Sequence, residues 1–212
     1  MDVILGKKLG MASFFGPAGR EFPVTIVEAG PCKVVQVKTI EKDKYEAIQI
    51  GFISKRFKDK DVKVNKPLSG HFKKAGTEAF RFLKEFRFEG AGKTEVGTEI
   101  NVSNFNEGDN IHVTGISKGK GFQGTVKRWG MRLQGRSHGT HESKRGPGSI
   151  GQCTWPSRVW KGKRMAGRMG SDQVTIKDVE ILKIIPEKNI IFIKGSLPGA
   201  KNGILKIRKM EA

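Results

Sequence analysis

Short apolar runs rich in β-branched residues, each bounded by Gly, Pro, Asn or Asp, recur on both sides of a central glycine-rich stretch. This pattern is typical of β-strands separated by turns. It predicts strands at Val24–Glu28, Cys32–Ile40, Tyr45–Phe52, Glu99–Val102, Ile111–Ile116, Val179–Ile185, Ile190–Lys194 and Ile204–Ile207. The turn residues Pro186–Asn189 would join two of these strands into a hairpin. We therefore expect a mainly β protein built on an antiparallel barrel.

Helical periodicity is scarce, and glycine closely follows both helices that we predict, Ser69–Ala75 and Gly121–Trp129. Residues 118–170 have almost no period-two or period-3.6 apolar pattern and cannot form a core alone. Connections longer than about 12–15 residues are usually functional or disordered. We therefore expect residues 1–117 and 171–212 to form one globular β-rich body, and residues 118–170 to form an extended functional arm.

Positive charge is concentrated in the same central stretch. The 212 residues include 40 Lys and Arg against 21 Asp and Glu, for a net charge of +19. Residues 118–170 hold 13 basic side chains and one acidic side chain, whereas residues 1–117 hold 19 and 15, and residues 171–212 hold 8 and 5. A charge this high repels itself unless a polyanion neutralises it. Nucleic acid is the leading class of partner.

Membranes and disulfides are not indicated. The longest aliphatic or aromatic run, Ile190–Ile193, is far shorter than the roughly 20 residues of a membrane helix. The first residues lack the basic and apolar regions of a secretory signal. Cys32 and Cys153 are far apart and are expected to be free thiols in a reducing compartment. We expect a cytoplasmic protein.

Two glycine motifs resemble phosphate-binding loops. Residues 119–126 match G-x-G-x-x-G-x-V, but a dinucleotide fold needs a buried parallel strand before the motif and an amphipathic helix after it, and the other kinase motifs are missing. Gly92-Lys93-Thr94 resembles the end of a P-loop, but Arg87 stands where its first glycine is required. We interpret the first motif as backbone that approaches an RNA phosphate, and the second as a turn between residues 80–88 and the next strand.

Metal binding and catalysis have weak support. His138, His141, Glu142 and Cys153 could be imagined as zinc ligands or as a Cys/His pair, but the chain has no C-x-x-C pair and no recognisable oxyanion device. Histidines in basic loops more often stack on bases or bind phosphates. We predict no metal, no cofactor, no small-molecule substrate and no catalytic residue.

Tryptophan alternates with Lys and Arg in residues 118–170, and this arrangement favours RNA over a merely solvated basic surface. Irregular RNA presents splayed bases and crowded phosphates, which planar side chains and cations recognise. Glycine allows the backbone to approach RNA where a Cβ would clash. The predicted phosphate-binding cations are Lys118, Lys120, Lys127, Arg128, Arg132, Arg136, Lys144, Arg145, Arg158, Lys161, Lys163, Arg164 and Arg168. The predicted stacking residues are Trp129, Trp155, Trp160 and His138, and the predicted close-approach glycines are Gly119, Gly121, Gly124, Gly148, Gly151, Gly162 and Gly167.

Several long motifs occur in an order that resembles a known family. They are Ser117-Lys-Gly-Lys-Gly-Phe-Gln-Gly-Thr-Val-Lys-Arg-Trp129, His138-Gly139, Pro147-Gly-Ser-Ile-Gly-Gln152 and Lys161-Gly-Lys-Arg-Met-Ala-Gly-Arg-Met-Gly170, with further matches at Leu5–Met11, Pro23–Thr25, Gly70–Phe72, Ile193–Gly195 and Pro198–Gly199. The chain resembles the third protein of the large ribosomal subunit, bacterial type, over nearly its whole length.

The resemblance implies a barrel related to those of translation factors, a small α/β insertion, and a long finger that runs through 23S rRNA toward the peptidyl-transferase centre. It also implies binding near the 3′ end of that rRNA early in subunit assembly, in the cytoplasmic ribosome, beside the fourteenth and nineteenth subunit proteins. Gln152 occupies the position that a glutamine methyltransferase converts to N5-methylglutamine in some bacterial members. The chain departs from the family pattern at Lys144, at Trp160 and in the residues Cys153–Trp155.

Two alternative functions come from other classes. An RNA-modifying enzyme would need a cofactor pocket or a catalytic pair, neither of which is recognisable in the sequence. An architectural DNA binder would prefer duplex DNA and tolerate any sequence.

Overall fold

The computed structural model describes residues 3–16, 19–52, 65–88 and 90–210. These residues fold mainly into β-strands, and six of the strands close into an antiparallel barrel. In order around the barrel they are β1 (Val3–Phe15), β12 (Ile204–Lys209), β7 (Asn110–Ile116), β10 (Gln173–Ile185), β11 (Ile190–Lys194) and β2 (Glu21–Ala29). The mainly β fold with an antiparallel barrel is confirmed.

The apolar residues that alternate with polar ones along the strands fill the interior of the barrel. Ile111 and Val113 of β7 and Leu205 and Ile207 of β12 are almost completely buried, while their neighbours along each strand are more exposed. Each such side chain contributes about 1.5–3 kcal/mol when fully buried. This inward-facing set explains why β7, β11 and β12 coincide closely with the predicted strands.

Two barrel strands, β1 and β10, differ most from the prediction. β1 is a 13-residue strand at a position where we predicted none, and β10 starts six residues before the predicted Val179. Both strands contain irregularities in their pairing. The register shifts between Lys8 and Gly10 in β1, and between Ile176 and Val179 in β10, where Asp178 has a φ of 55°. Such bulges interrupt the simple alternation by which strands are recognised in sequence.

Residues between β2 and β7 form a second layer with both helix and sheet, as the expected α/β insertion requires. Its sheet has the order β5 (Phe82–Arg87), β4 (Ala47–Phe52), β3 (Cys32–Lys38) and β6 (Glu99–Ile100). Helices α1 (Ile40–Asp43) and α2 (Lys66–Lys74) accompany it, as do two 3-10 helices at Ala91–Lys93 and Val102–Asn104.

Helix α2 corresponds to the helix predicted at Ser69–Ala75 and begins three residues earlier, with Pro67 in its first turn. Phe72 from α2 packs against Val35 and Phe80 in a small separate apolar cluster. Gly92-Lys93-Thr94 lies at the end of a 3-10 turn between β5 and β6, in agreement with the turn predicted there.

Short ion pairs link lysines to carboxylates in the part of the chain that contains the barrel and the second layer. Lys38 lies 2.8 Å from Glu85, and Lys209 lies 2.7 Å from Asp109. Each lysine holds the pKa of its carboxylate partner below the usual value through a hydrogen bond. None of the helices in the described part of the chain is long and apolar enough to cross a bilayer.

Candidate nucleic-acid interface

The chain divides into two compact units, which we call the body (residues 1–116 and 173–212) and the basic segment (residues 117–172). The basic segment begins after β7 and ends where β10 begins. Its two ends are joined, because the Ser117 amide donates to the Asp172 carbonyl (2.9 Å) and the Lys120 amide donates to the Met169 carbonyl (2.9 Å). The segment is thus held at its base by backbone hydrogen bonds of its own.

A two-stranded antiparallel ladder continues this base. Strand β8 (Gly121–Gln123) pairs with β9 (Gly167–Met169), with Gly121 opposite Met169. The prediction of a helix over residues 121–129 is therefore wrong in its first half. Gly121 has a φ of +68°, which a right-handed helix does not accept. The helix present, α3 (Thr125–Trp129), ends at Gly130 in the left-handed conformation.

The G-x-G-x-x-G-x-V match at residues 119–126 spans this ladder and the start of α3. It therefore has an antiparallel strand of three residues before a helix of five residues. A dinucleotide site needs a parallel strand and a longer helix whose N-terminus receives the phosphates. The local structure does not fit a dinucleotide site.

Arg128 and Trp129 are both fixed by one backbone carbonyl 36 to 37 residues away. The Arg128 guanidinium donates to the carbonyl of Met165 (2.9 Å), and the Trp129 indole N–H donates to the same oxygen (2.8 Å). The guanidinium carbon of Arg128 also lies 4.9 Å from the centroid of the Trp129 ring, and that of Arg164 lies 5.9 Å from it. These contacts attach α3 to the residues just before β9.

Gly167 makes this arrangement possible. A Cβ at position 167 would lie 2.5 Å from a guanidinium nitrogen of Arg128. The glycine therefore serves the packing of the segment itself, in addition to any close approach to RNA. Trp129 remains 41% exposed, which leaves part of its ring open to a base. Its stacking on a base stays a prediction.

Next to this contact lies a cleft of about 450 Å³, which we call the basic cleft. The charged side chains that line the cleft are four cations and one carboxylate, that of Asp172. The cleft is also lined by one aromatic side chain, that of Trp129. A phosphate would find several cations here within one concave surface, which is the chemistry of a nucleic-acid backbone site. The lining residues are Ser117, Lys118, Lys120, Arg128, Trp129, Arg168, Met169, Gly170 and Asp172.

The structure thus brings together five residues of the predicted set, Lys118, Lys120, Arg128, Trp129 and Arg168. It adds two groups that sequence reasoning missed, the Met165 carbonyl and Asp172. A backbone carbonyl leaves no trace in the pattern of residue types. Asp172 lies two residues beyond the predicted boundary, and its acidic character gave no reason to include it.

The other predicted cations and stacking residues lie outside the basic cleft, and all of them are exposed. The guanidinium carbon of Arg158 lies 5.0 Å from the centroid of the Trp160 ring, and Trp155 is 75% exposed. These outlying residues are Lys127, Arg132, Arg136, His138, Lys144, Arg145, Trp155, Arg158, Trp160, Lys161, Lys163 and Arg164.

The remaining glycines differ in what surrounds them. Gly121, Gly148 and Gly162 have positive φ angles with open space where a Cβ would lie, and Gly124 is also open. At Gly151 a Cβ would lie 3.9 Å from the nearest atom, and at Gly119 it would lie 2.8 Å from the Ser171 hydroxyl. Their close approach to RNA stays a prediction.

Gln152 lies on an exposed, irregular stretch of the basic segment. Three residues before Gln152, the Ser149 hydroxyl donates to the carbonyl of Gly151 (2.9 Å). Cys153, which follows Gln152, is exposed and has a φ of 28°. Across the described residues no three His, Cys, Asp or Glu side chains lie together in a way that could hold a metal ion.

Comparison with known proteins shows which family this chain belongs to. A family model described as ribosomal protein L3 matches residues 85–189, which include the whole basic segment. The large ribosomal subunit protein uL3 of Syntrophotalea carbinolica is 53% identical over 207 residues, covering 97% of this chain and 96% of that protein. The chain belongs to the ribosomal protein L3 family. The resemblance found in the sequence motifs is confirmed, and the barrel and the basic segment described above are those of an L3-family protein.

Proposed function

We propose that this L3-family protein is a structural constituent of the large subunit of the cytoplasmic ribosome and a primary binder of 23S rRNA. In this proposal the protein binds near the 3′ end of the rRNA, helps to nucleate subunit assembly, and extends the basic segment toward the peptidyl-transferase centre. Neighbouring large-subunit proteins, among them the fourteenth and nineteenth, would contact it. It has no catalytic role in this scheme.

The basic segment carries the proposal. Its cations outnumber its single acidic side chain within residues 118–170 by 13 to 1, and all of them except Arg128 are exposed. Four cations converge on one cleft, and Arg–Trp pairs on its surface combine a positive charge with an aromatic face. Release of counterions from RNA would provide affinity, and stacking would favour irregular RNA over a uniform duplex.

A salt-titrated competition tests this function. The purified protein is bound to a fragment from the 3′ region of 23S rRNA in the presence of unrelated structured RNA or duplex DNA of equal length. We expect a preference for the rRNA fragment that persists at physiological salt. Equal affinity for all three nucleic acids would refute specific docking, and a preference for duplex DNA would support the architectural alternative. Saturable binding of a nucleotide or methyl donor would support the RNA-modifying alternative.

Modification of Gln152 is a separate part of the proposal. The side chain is exposed on an irregular segment, so a glutamine methyltransferase could reach its amide before RNA covers it. Mass spectrometry of the protein from native subunits should then show an added methyl group, 14 Da, on the peptide that contains Gln152. An unmodified peptide would refute this part and leave RNA binding unaffected.

A further inference from the structure

A second concave site lies in the body, separate from the basic segment. It is a cavity of about 300 Å³ that we call the body cleft, and strands β5, β7 and β12 supply most of its lining. Its lining residues are Phe82, Lys84, Thr114, Gly115, Ile116, Gln173, Pro198, Gly199, Gly203, Ile204 and Lys206. The volume lies at the lower end of the range for small-ligand sites, which suits one nucleotide unit better than a helix or strand.

Two lysines give the body cleft its charge. Among the described lining residues, the ionisable side chains are Lys84 and Lys206, and none is acidic. The Lys206 ammonium donates to the backbone carbonyl of Glu85 (3.0 Å) and lies 5.4 Å from the centroid of the Phe86 ring. The Glu85 carboxylate is engaged elsewhere, 2.8 Å from Lys38.

The cleft lining supplies neither ammonium group with an acidic partner, and the attraction of Lys206 to the Glu85 carboxylate is weaker than its repulsion by Lys84. Burial lowers the pKa of Lys206, and repulsion by Lys84 lowers it further. An anion placed between the two lysines would remove this repulsion and restore the lost solvation. Lys206 is partly fixed by the Glu85 carbonyl, so its charge is already positioned before any ligand arrives.

The apolar wall of the cleft is shaped by backbone that tolerates no side chain. A Cβ at Gly199, where φ is +95°, would lie 2.8 Å from the Ile116 carbonyl oxygen. At Gly115 it would lie 2.7 Å from a methyl carbon of Leu205. The neighbouring Ile116 side chain is 62% exposed, and the Phe82 ring is half-buried. An apolar surface thus remains open beside the positioned ammonium of Lys206 and the exposed side chain of Lys84.

We propose that the body cleft binds one unstacked nucleotide of rRNA, with its phosphate at Lys84 and Lys206 and its base against Phe82 and Ile116. This inference rests on the proposed function, which makes RNA the main polyanion that the body meets. A nucleotide of single-stranded RNA combines a phosphate with a base whose flat faces are apolar, and such nucleotides are commonly bound by an aromatic residue beside a cation. The Gln173 side-chain amide is exposed and carries both a donor and an acceptor, so it can pair with the edge of a base. An acidic side chain of a peptide would use only the donor of this amide.

The first test compares the double variant Lys84→Gln, Lys206→Gln with a matched control, Lys183→Gln, Lys188→Gln. Both variants lose two positive charges from exposed or half-exposed lysines of the body. Binding of the full-length proteins to the 3′ rRNA fragment is measured from 50 to 200 mM salt. We expect the cleft variant, which loses the single phosphate contact of the cleft, to reduce the slope of log affinity against log salt by about 1, and the control to change it by less than about 0.5.

The single variant Lys84→Gln separates binding from folding, because Lys84 is exposed whereas Lys206 also holds the Glu85 carbonyl. It should keep the wild-type thermal midpoint and still reduce the slope by more than the control does, although by less than the double variant, because Lys206 still faces the phosphate. Equal slopes for the cleft variants and the control, with a wild-type protein that prefers rRNA, would overturn the body cleft alone. A wild-type protein without any preference for rRNA would overturn the proposed function and the cleft together.

A photo-crosslinking amino acid at Ile116 identifies what occupies the cleft in assembled large subunits. An adduct that ribonuclease shortens, and whose RNA maps to one nucleotide or a few adjacent ones, supports the inference. An adduct to another ribosomal protein would show that an acidic peptide occupies the cleft and would overturn it. Failure to form an adduct with RNA, while the same group placed at exposed Trp155 forms one, would also overturn it.

Discussion

Neutralising the basic cleft should weaken RNA binding in proportion to the number of phosphates that it contacts. The sharpest variant is Lys118→Gln, Lys120→Gln, Arg168→Gln, which removes three of the four cations that line the cleft. Arg128 is retained because its guanidinium also holds the Met165 carbonyl, and its loss would disturb the fold of the segment. If each removed cation contacts one phosphate, the slope of log affinity against log salt falls by about 2.7 on a duplex and about 2 on single-stranded RNA.

This change in slope has a measurable size. Between 50 and 200 mM salt the wild-type protein should lose about 20- to 40-fold more affinity than the triple variant. Fluorescence anisotropy with a labelled 3′ rRNA fragment measures both proteins across that range. The control is Lys73→Gln, Lys183→Gln, Lys188→Gln, which removes the same charge from exposed positions of the body. Parallel salt plots for the two triple variants would refute the reasoning, because net charge alone would then account for binding.

Four further expectations concern the two units separately. In the first variant a short glycine linker replaces residues 122–168 and joins the ladder partners Gly121 and Met169. The body should still unfold cooperatively by circular dichroism, and the salt dependence of rRNA binding should become flatter. Loss of cooperative unfolding would contradict the independence of the body. Gly170→Ala should destabilise the base of the basic segment by at least about 2 kcal/mol, since φ is +77° and a Cβ would collide with the Lys118 carbonyl, and unchanged amide exchange in that segment would argue against this. Burial raises the pKa of the Cys32 thiol to about 12, so alkylation of native protein followed by mass spectrometry should label exposed Cys153 long before Cys32; equal rates would be inconsistent with a buried thiol. The pKa of Asp109 is lowered in the folded protein, so its ionised carboxylate stabilises the fold at pH values above the unfolded-state pKa of about 4, and this stability is lost as the pH falls through the folded-state pKa. The urea midpoint of Asp109→Asn should therefore depend less on pH below 4 than that of the wild type. Matching pH profiles of the two proteins would exclude this contribution.

The barrel could be predicted best where a short run of β-branched and aromatic residues lies between clear turn signals. Ile190–Lys194 is such a run, and it was predicted with its observed bounds. β1 was missed because Gly6 and Gly10 lower its strand propensity and Lys8 interrupts its apolar run. These residues have tertiary reasons: a Cβ at Gly6 would lie 2.6 Å from Val27, and the Lys8 ammonium donates to the Leu197 carbonyl (2.7 Å). Contacts this distant in sequence cannot be read from local pattern.

The location of the candidate interface followed from composition, but its internal geometry did not. Thirteen cations against one acid identify residues 118–170 without any structure. Lys118, Lys120 and Arg168 come together because β8 pairs with β9. This pairing could not be predicted, because strands this short that contain glycine have no recognisable sequence pattern. The role of Trp129 was also incomplete, because its indole N–H is bound to a carbonyl 36 residues away.

Strand order in the barrel has a consequence for synthesis of the protein. β1 pairs along its length with β12, from Val3 opposite Arg208 to Lys7 opposite Ile204, so the barrel cannot close until β12 has been made. The sheet of the second layer, within residues 32–100, is complete much earlier. At about 5–20 residues per second, the basic segment is finished roughly 2 to 7 s before the end of β12 emerges from synthesis. During that interval a strongly cationic, fully translated segment is present on a chain whose barrel is still open, so a polyanion can engage it before the body has finished folding.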